Sequence, residues 1–220
     1  MWKFYQPANV IFGEGELANI GRYLEEMGLK KALLVADGFL VESGVAARVE
    51  ECAKGAVAAI SSDVEPNPTI QNVDAAANKA KKAKADCIIA LGGGSAMDCA
   101  KGAAAALAEG CPAAELLEGR PVTKALPVIA IPTTAGTGSE VTAGAVLSDK
   151  ERGIKASVFS PAIFPRLALV DPELTYTVPA KVTAATGLDV LAHAFDAMTS
   201  VKACASTSSP VAAVTFAGTV

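Results

Sequence analysis

Aromatic side chains make up only 5% of this 220-residue chain, and histidine occurs once. So few aromatics argue against an aromatic-rich sandwich. The 51% hydrophobic content leans on alanine and favours helices packed closely on a sheet. Five cysteines are scattered, and no two have the C-x-x-C spacing of a zinc or redox site, so a reduced, intracellular protein is expected. No apolar run reaches the roughly 18 residues that span a membrane. The start, "MWKFYQPANVIFG", lacks a basic region followed by an apolar run, so it does not read as a signal peptide and a cytoplasmic location is expected. Nor is there a marked excess of one charge: 19 basic against 23 acidic residues give a net −4. The densest basic run, Lys79 to Asp86, sits in an alanine-rich helical pattern and reads as a solvated face, not a nucleic-acid patch.

What the chain does have is alternation. Strands are expected at 8–13, 30–37, 56–64, 86–94 and 124–134. Helices are expected at 15–28, at 43–55 with Ser43 as a cap, at 70–85 with Thr69 as a cap, and from about 95 to 109. Short apolar strands between helices predict an α/β domain with a mainly parallel sheet. From Pro179 the pattern changes to two consecutive helices broken at Gly187, so the domains are expected at 1–178 and 179–220. The last twenty residues are unlike the rest, with a breaker cluster from Ser206 to Pro210 and no charge after it.

Two glycine-rich stretches compete as a phosphate site. "GEGELA", from Gly13, matches G-x-G-x-x-G/A between a strand and a helix, with Asp37 about twenty residues on at the end of the next strand. Glu14 and Glu16 count against it, since both bring carboxylates to the would-be pyrophosphate; the alternative is a plain strand-to-helix turn. "GGGS", Gly92 to Ser95, leaves the backbone bare at a helix start, where N–H groups and the helix dipole favour an anion. Its alternative is a tight turn. Asp98, in the first helical turn, reads as structural. "IPTTAGTGSEVT" places hydroxyls at a strand's carboxyl end, fit for ribose, phosphate or carboxamide, or for helix caps alone. Asp189 and His193 are four apart, one turn of helix. Such a pair can bind one divalent cation or form a hydrogen-bonded pair at a core edge.

Together "EPNPTIQNV", "LGGGSAMDCAKGAA", "IPTTAGTGSEVT" and "DPELTYTVPAKVTAATGLDVLAHAFDAMTS" lie in an order and spacing that resemble the iron-containing (group III) alcohol dehydrogenases, over about residues 4 to 202. That family includes lactaldehyde reductase and 1,3-propanediol dehydrogenase. The resemblance implies a dehydroquinate-synthase-like fold, with a parallel-sheet dinucleotide-binding domain followed by the start of an all-helical domain. It implies a metal-dependent, NAD-linked alcohol dehydrogenase that moves a hydride reversibly between a small alcohol or diol and NAD. The implied NAD contacts are Asp37, Asn67, Gly93, Gly94, Ser95, Thr133, Thr134, Thr137 and Lys155, with Asp37 at the adenosine ribose favouring NAD over NADP. Asp189 and His193 match the first two metal ligands, for Fe²⁺ or Zn²⁺. The family's metal takes two further histidines that this sequence does not contain. The expectation is therefore a truncated chain with little or no activity; the alternative is a non-catalytic nucleotide-binding remnant. Asp196 stands where the family usually has Glu. No side-chain general base is evident. A small alcohol or aldehyde is the expected partner, with no nucleic acid and no membrane; homo-oligomerisation stays open. A short-chain dehydrogenase fares worse, since there is no Tyr-x-x-x-Lys pair: Tyr176 is followed four residues on by Ala180. A medium-chain zinc enzyme is disfavoured by the single histidine and the lack of a cysteine–histidine site.

Overall fold

A computed structural model describes residues 6–199. The chain runs β1 (Asn9–Phe12), α1 (Ile20–Glu26), β2 (Ala32–Val35), α2 (Gly38–Glu42), α3 (Val45–Cys52), β3 (Val57–Ser61), α4 (Ile70–Ala83) and β4 (Cys87–Gly92). It continues through α5 (Gly94–Glu109), α6 (Ala113–Leu117), β5 (Val128–Pro132), β6 (Gly144–Asp149), β7 (Ile154–Phe159), β8 (Leu167–Val170) and α7 (Ala180–Thr199). The tail from 201 to 220, with its breaker cluster, lies outside the described residues.

Six strands form one sheet in the order β1-β8-β5-β4-β2-β3. Every pairing in it is parallel. The central strands β2, β4 and β5 are buried at every residue, which explains why their sequences read as continuous apolar runs and not as alternating ones. The alternation is still there, one face at a time. Leu33, Val35, Ile88, Ala90, Val128 and Ala130 share a core with α4 and α5. Ala32, Leu34, Cys87, Ile89, Leu91, Ile129 and Ile131 share the other with α1 and α3. Alanine sets the close approach of α4 and α5. At Gly102 even one added carbon would lie 3.2 Å from Val73 and 3.3 Å from Leu147.

The α/β architecture agrees with the sequence expectation, as does the capping of α4. Thr69 accepts from the Asn72 N–H while the Asn72 side chain accepts from the Thr69 N–H. Elsewhere the structure corrects the sequence. The first helix begins as a 3₁₀ turn, Glu16–Asn19, because the chain leaves Gly15 in the left-handed region. Ser43 does not cap α3; it is the C-cap of α2, and Gly44, at φ 83°, is the N-cap of α3. The two helices expected around Gly187 are one, α7, since an isolated glycine costs a helix only about 1 kcal/mol. β8 and the antiparallel β6–β7 hairpin were not foreseen. The hairpin bonds to the "EPNPT" turn, where the Ser148 N–H donates to the Pro68 carbonyl at 2.9 Å. Among the described residues no helix is long and apolar enough to cross a membrane.

Candidate functional site

From β2 the chain moves outward to β3, then returns to place β4 on the other side of β2. That reversal opens a crevice beyond the carboxyl ends of β2 and β4, the place where open α/β sheets hold ligands. Asp37 follows β2 and the triple glycine follows β4, so both reach this crevice. Gly92 sits at φ 142°, and an added Cβ would lie 2.8 Å from that of Ala96, so glycine is required there. α5 then begins at Gly94. Its first-turn N–H groups have no partner within the helix and face the crevice with the positive end of the dipole.

"GEGELA" has the opposite character. The Gly15 and Leu17 N–H groups donate to the two carboxylate oxygens of Asp171 at 3.1 and 3.0 Å. An internal anion thus takes the place a phosphate would need. The Glu16 carboxylate accepts from the Tyr23 hydroxyl at 2.7 Å and from Asn19. The Tyr23 bond does most to hold the Glu16 carboxyl below its ordinary value. This stretch is a strand-to-helix turn.

The threonine-rich loop folds directly over the triple glycine. The Thr133 N–H donates to the Gly92 carbonyl at 3.0 Å. A Cβ on Gly93 would lie 3.2 Å from Thr134 Oγ1, and one on Gly94 would lie 3.1 Å from the Thr137 methyl. Thr134 Oγ1 is buried without a hydrogen-bond partner. A buried orphan hydroxyl costs free energy unless something bonds it. Bare backbone, the N-terminus of α5 and an orphan hydroxyl fit a pyrophosphate-bearing cofactor.

Asn67 adopts φ 58°, an uncommon conformation for a residue with a side chain. Its N–H donates to Ser95 Oγ at 3.2 Å, and Lys155 Nζ donates to its Oδ1 at 2.7 Å. The turn, the hairpin and the helix start are thereby joined at one edge of the crevice. α7 closes another edge. A Cβ on Gly136 would lie 2.5 Å from Thr186 Cβ, so this helix rests on the threonine loop itself. One open cavity of about 710 Å³ is lined by Asn67, Gly94, Ser95, Thr137, Lys155, Asp189 and His193. Gly93, Thr133 and Thr134 are not part of that lining. Asp37 stands apart at the far end of the glycines, where its Oδ2 lies 3.9 Å from the Cβ position of Gly92 and its Oδ1 accepts from the Leu40 N–H at 2.9 Å.

Asp189 Oδ1 and His193 Nε2 are 3.8 Å apart and both side chains are about 40% exposed to the cavity. The pair can contribute one oxygen and one nitrogen to a divalent ion. Among the described residues no group of three or more His, Cys, Asp or Glu side chains is placed to hold a metal.

Sequence reasoning assigned Asp98 to structure and missed its neighbours. Asp98 accepts from the Ser139 hydroxyl at 2.7 Å and from the Val146 N–H at 3.0 Å. Lys101, fully buried, donates to the carbonyls of Ser139 and Gly144. Burial pushes its ammonium pKa down and Asp98 opposes this. Glu140 is also fully buried, with neither carboxyl oxygen bonded, and burial raises its pKa. A lysine on a stretch of helix otherwise made of alanine, glycine and cysteine, three residues after an aspartate, was the available signal.

A family model described as iron-containing alcohol dehydrogenase matches residues 7–172. The chain is 38% identical over 203 residues to the NAD-dependent methanol dehydrogenase of Bacillus methanolicus, covering 90% of this chain and 52% of that protein. It is 38% identical to alcohol dehydrogenase 4 of Schizosaccharomyces pombe, covering 91% and 48%. Among solved structures it superposes on the sulfoacetaldehyde reductase from Bifidobacterium kashiwanohense in complex with NAD⁺, with a TM-score of 0.86, 43% identity and coverage of 89% and 53%. The chain spans about half the length of the curated relatives it matches.

Proposed function

The chain belongs to the iron-containing alcohol dehydrogenase family, and from that membership we propose that it seats NAD in the crevice as the cofactor half of a metal-dependent alcohol dehydrogenase. The observation that carries this reading is the threonine loop lying over the triple glycine, where the start of α5 meets the orphan Thr134 hydroxyl. The amides of Gly93, Gly94 and Ser95 hold the pyrophosphate. Asp37 accepts from the adenosine ribose hydroxyls and repels a 2′-phosphate, which favours NAD over NADP. Thr133, Thr134 and Thr137 orient the nicotinamide side, and Asn67 and Lys155, already bonded to each other, meet its ribose. Asp189 and His193 hold a divalent ion, Fe²⁺ or Zn²⁺, at the same cavity. When bound, these groups supply a hydride carrier and a Lewis acid for the alcohol oxygen. The substrate class is a small primary or secondary alcohol, or the matching aldehyde. The division read from the sequence, 1–178 and 179–220, is proposed as a dinucleotide-binding domain and the start of a metal-binding one, of which α7 is the part the structure describes.

A second reading, nucleotide binding without turnover, is favoured by one observation: no third His, Cys, Asp or Glu side chain joins Asp189 and His193 among the described residues. Calorimetric titration with NAD, then with Fe²⁺ or Zn²⁺, followed by an NADH-absorbance assay on 1,2-propanediol, separates the two. Metal-dependent NADH formation supports the dehydrogenase. NAD binding without tight metal binding or turnover supports the second reading. No NAD binding defeats both.

A further inference from the structure

We propose that the outward face of α7 is a docking surface for a second copy of this chain, the two helices lying antiparallel about a two-fold axis at Leu191. The inference goes beyond the cofactor reading and does not depend on it.

α7 is amphipathic in the wrong sense for a helix that covers a domain. None of its 20 residues is buried. The side chains turned toward the threonine loop and the cavity are polar: Thr186, Asp189 and His193. The large apolar ones point outward. Leu188, Leu191, Phe195 and Met198 are 68%, 55%, 66% and 82% exposed. Their spacing of i, i+3, i+7 and i+10 puts them on one stripe. Ala184 and Gly187 are exposed on the same stripe. Lys181, Asp189 and Asp196, the charged residues of α7 apart from a protonated His193, all fall off it by the same helical geometry. A continuous apolar stripe left open to water marks an interaction surface.

What favours a second copy is that the stripe complements itself. On a helix of 3.6 residues per turn, Leu191 lies on the centre line, with Phe195 and Leu188 to one side and Gly187 to the other. A two-fold axis at Leu191 sets it beside the partner's Leu191. Phe195 then meets the partner's Leu188. Met198 lies over the partner's Ala184 and the partner's Gly187, so small residues receive the longest side chain and the helices can approach closely. Charge argues the same way. The stripe offers nothing to hold a charged partner, and two uncharged stripes bring no like charges together. A face that pairs with itself in this way closes at two copies.

The area is modest. Four large and two small side chains on each copy bury less than the roughly 800 Å² per partner of a standard interface, so the pairing is weak and depends on concentration. Asp189 and His193 face away from the stripe, so the cavity stays open in the pair.

The test is sedimentation velocity on the 220-residue chain over about two decades of concentration, with a thermal melt of every variant. Residue 191 meets its own copy at the axis. Leu191→Asp and Leu191→Lys therefore each bring like charges together, and a mixture of the two brings opposite ones. The parent should pass from monomer to dimer as concentration rises. Each Leu191 variant alone should dimerise at least about tenfold more weakly, as should Phe195→Glu. The equimolar mixture of Leu191→Asp and Leu191→Lys should dimerise at least about fivefold more tightly than either alone. Both positions are more than half exposed, so the variants should fold. If a Leu191 variant lacks a cooperative melt, Phe195→Glu decides by its loss of dimer. A parent that stays monomeric overturns the proposal, whether residues 201–220 cover the stripe or nothing does. A dimer that all the substitutions leave intact lies on another surface and overturns it, as does growth beyond two copies. A mixture no tighter than its components overturns the two-fold arrangement at Leu191.

Discussion

Replacing Gly94 with alanine should separate ligand binding from stability. Gly94 is the first residue of α5 and its φ lies outside the left-handed region, so alanine meets no backbone strain. A helical Gly→Ala change stabilises by up to about 1 kcal/mol. Against this, the new Cβ would sit 3.1 Å from the Thr137 methyl and 3.3 Å from its Cβ, so the threonine must shift slightly and lose some contact. The two effects oppose, and the net stability change should stay within about 1 kcal/mol. Binding has no such compensation. With the phosphate placed as proposed, the methyl stands beside the α5 amides that take it and crowds Thr137. A hydrogen bond to a charged group is worth about 1.5–3 kcal/mol net, so loss of one weakens NAD binding about 10- to 150-fold. Calorimetry on parent and variant, with a thermal melt of each, reads both quantities. An affinity within twofold of the parent's would refute the placement of the pyrophosphate here, as would a loss of affinity explained by unfolding.

Gly15→Ala is the matching control: at φ 75° it should cost about 1–2 kcal/mol of stability in a denaturant melt and leave NAD affinity unchanged. Asp37→Ala removes the cap of α2, costing about 1 kcal/mol, and should narrow the preference for NAD over NADP in parallel titrations. Glu140→Gln should change how stability depends on pH. The native carboxyl holds its proton above the pH at which the unfolded one releases it, so the parent loses stability as pH rises above about 4.5, by up to about 1.4 kcal/mol per pH unit. Lys101 works in the opposite sense, so the difference between parent and variant melts from pH 5 to 8 isolates Glu140; no difference in slope would count against a protonated Glu140. His193→Ala should abolish the heat of Zn²⁺ binding while leaving the NAD titration unchanged.

The sheet was legible because its central strands are apolar on both faces and bounded by helices with alternating signals. The glycine loop was legible because three consecutive glycines between strand and helix have few other uses. The β6–β7 hairpin was not, since its half-exposed strands, such as "IKASVF", mix polar and apolar residues without a clean period. α7 misled because Gly187 resembles a break in a sequence, whereas hydrogen bonds on either side of one glycine can carry a helix through it; Pro179 does mark the helix start, as expected. Sequence singled out Asn67 and Lys155 only through resemblance; the 2.7 Å bond between them joins positions 88 apart, beyond any local pattern. The bonds from Asp98 and Lys101 to the threonine loop were hidden for a related reason. Lys101 looks like a solvent-facing helical lysine until the loop that buries it is in place.

Mapping backbone amide NMR shifts during an NAD titration tests the central claim most directly. Binding at the helix start should move the amides of Gly93, Gly94, Ser95 and Thr134 early and strongly, and leave Gly15 and Leu17, already bonded to Asp171, unmoved. Saturable shifts centred on Gly13 to Ala18, or none at residues 93–95, would contradict the account.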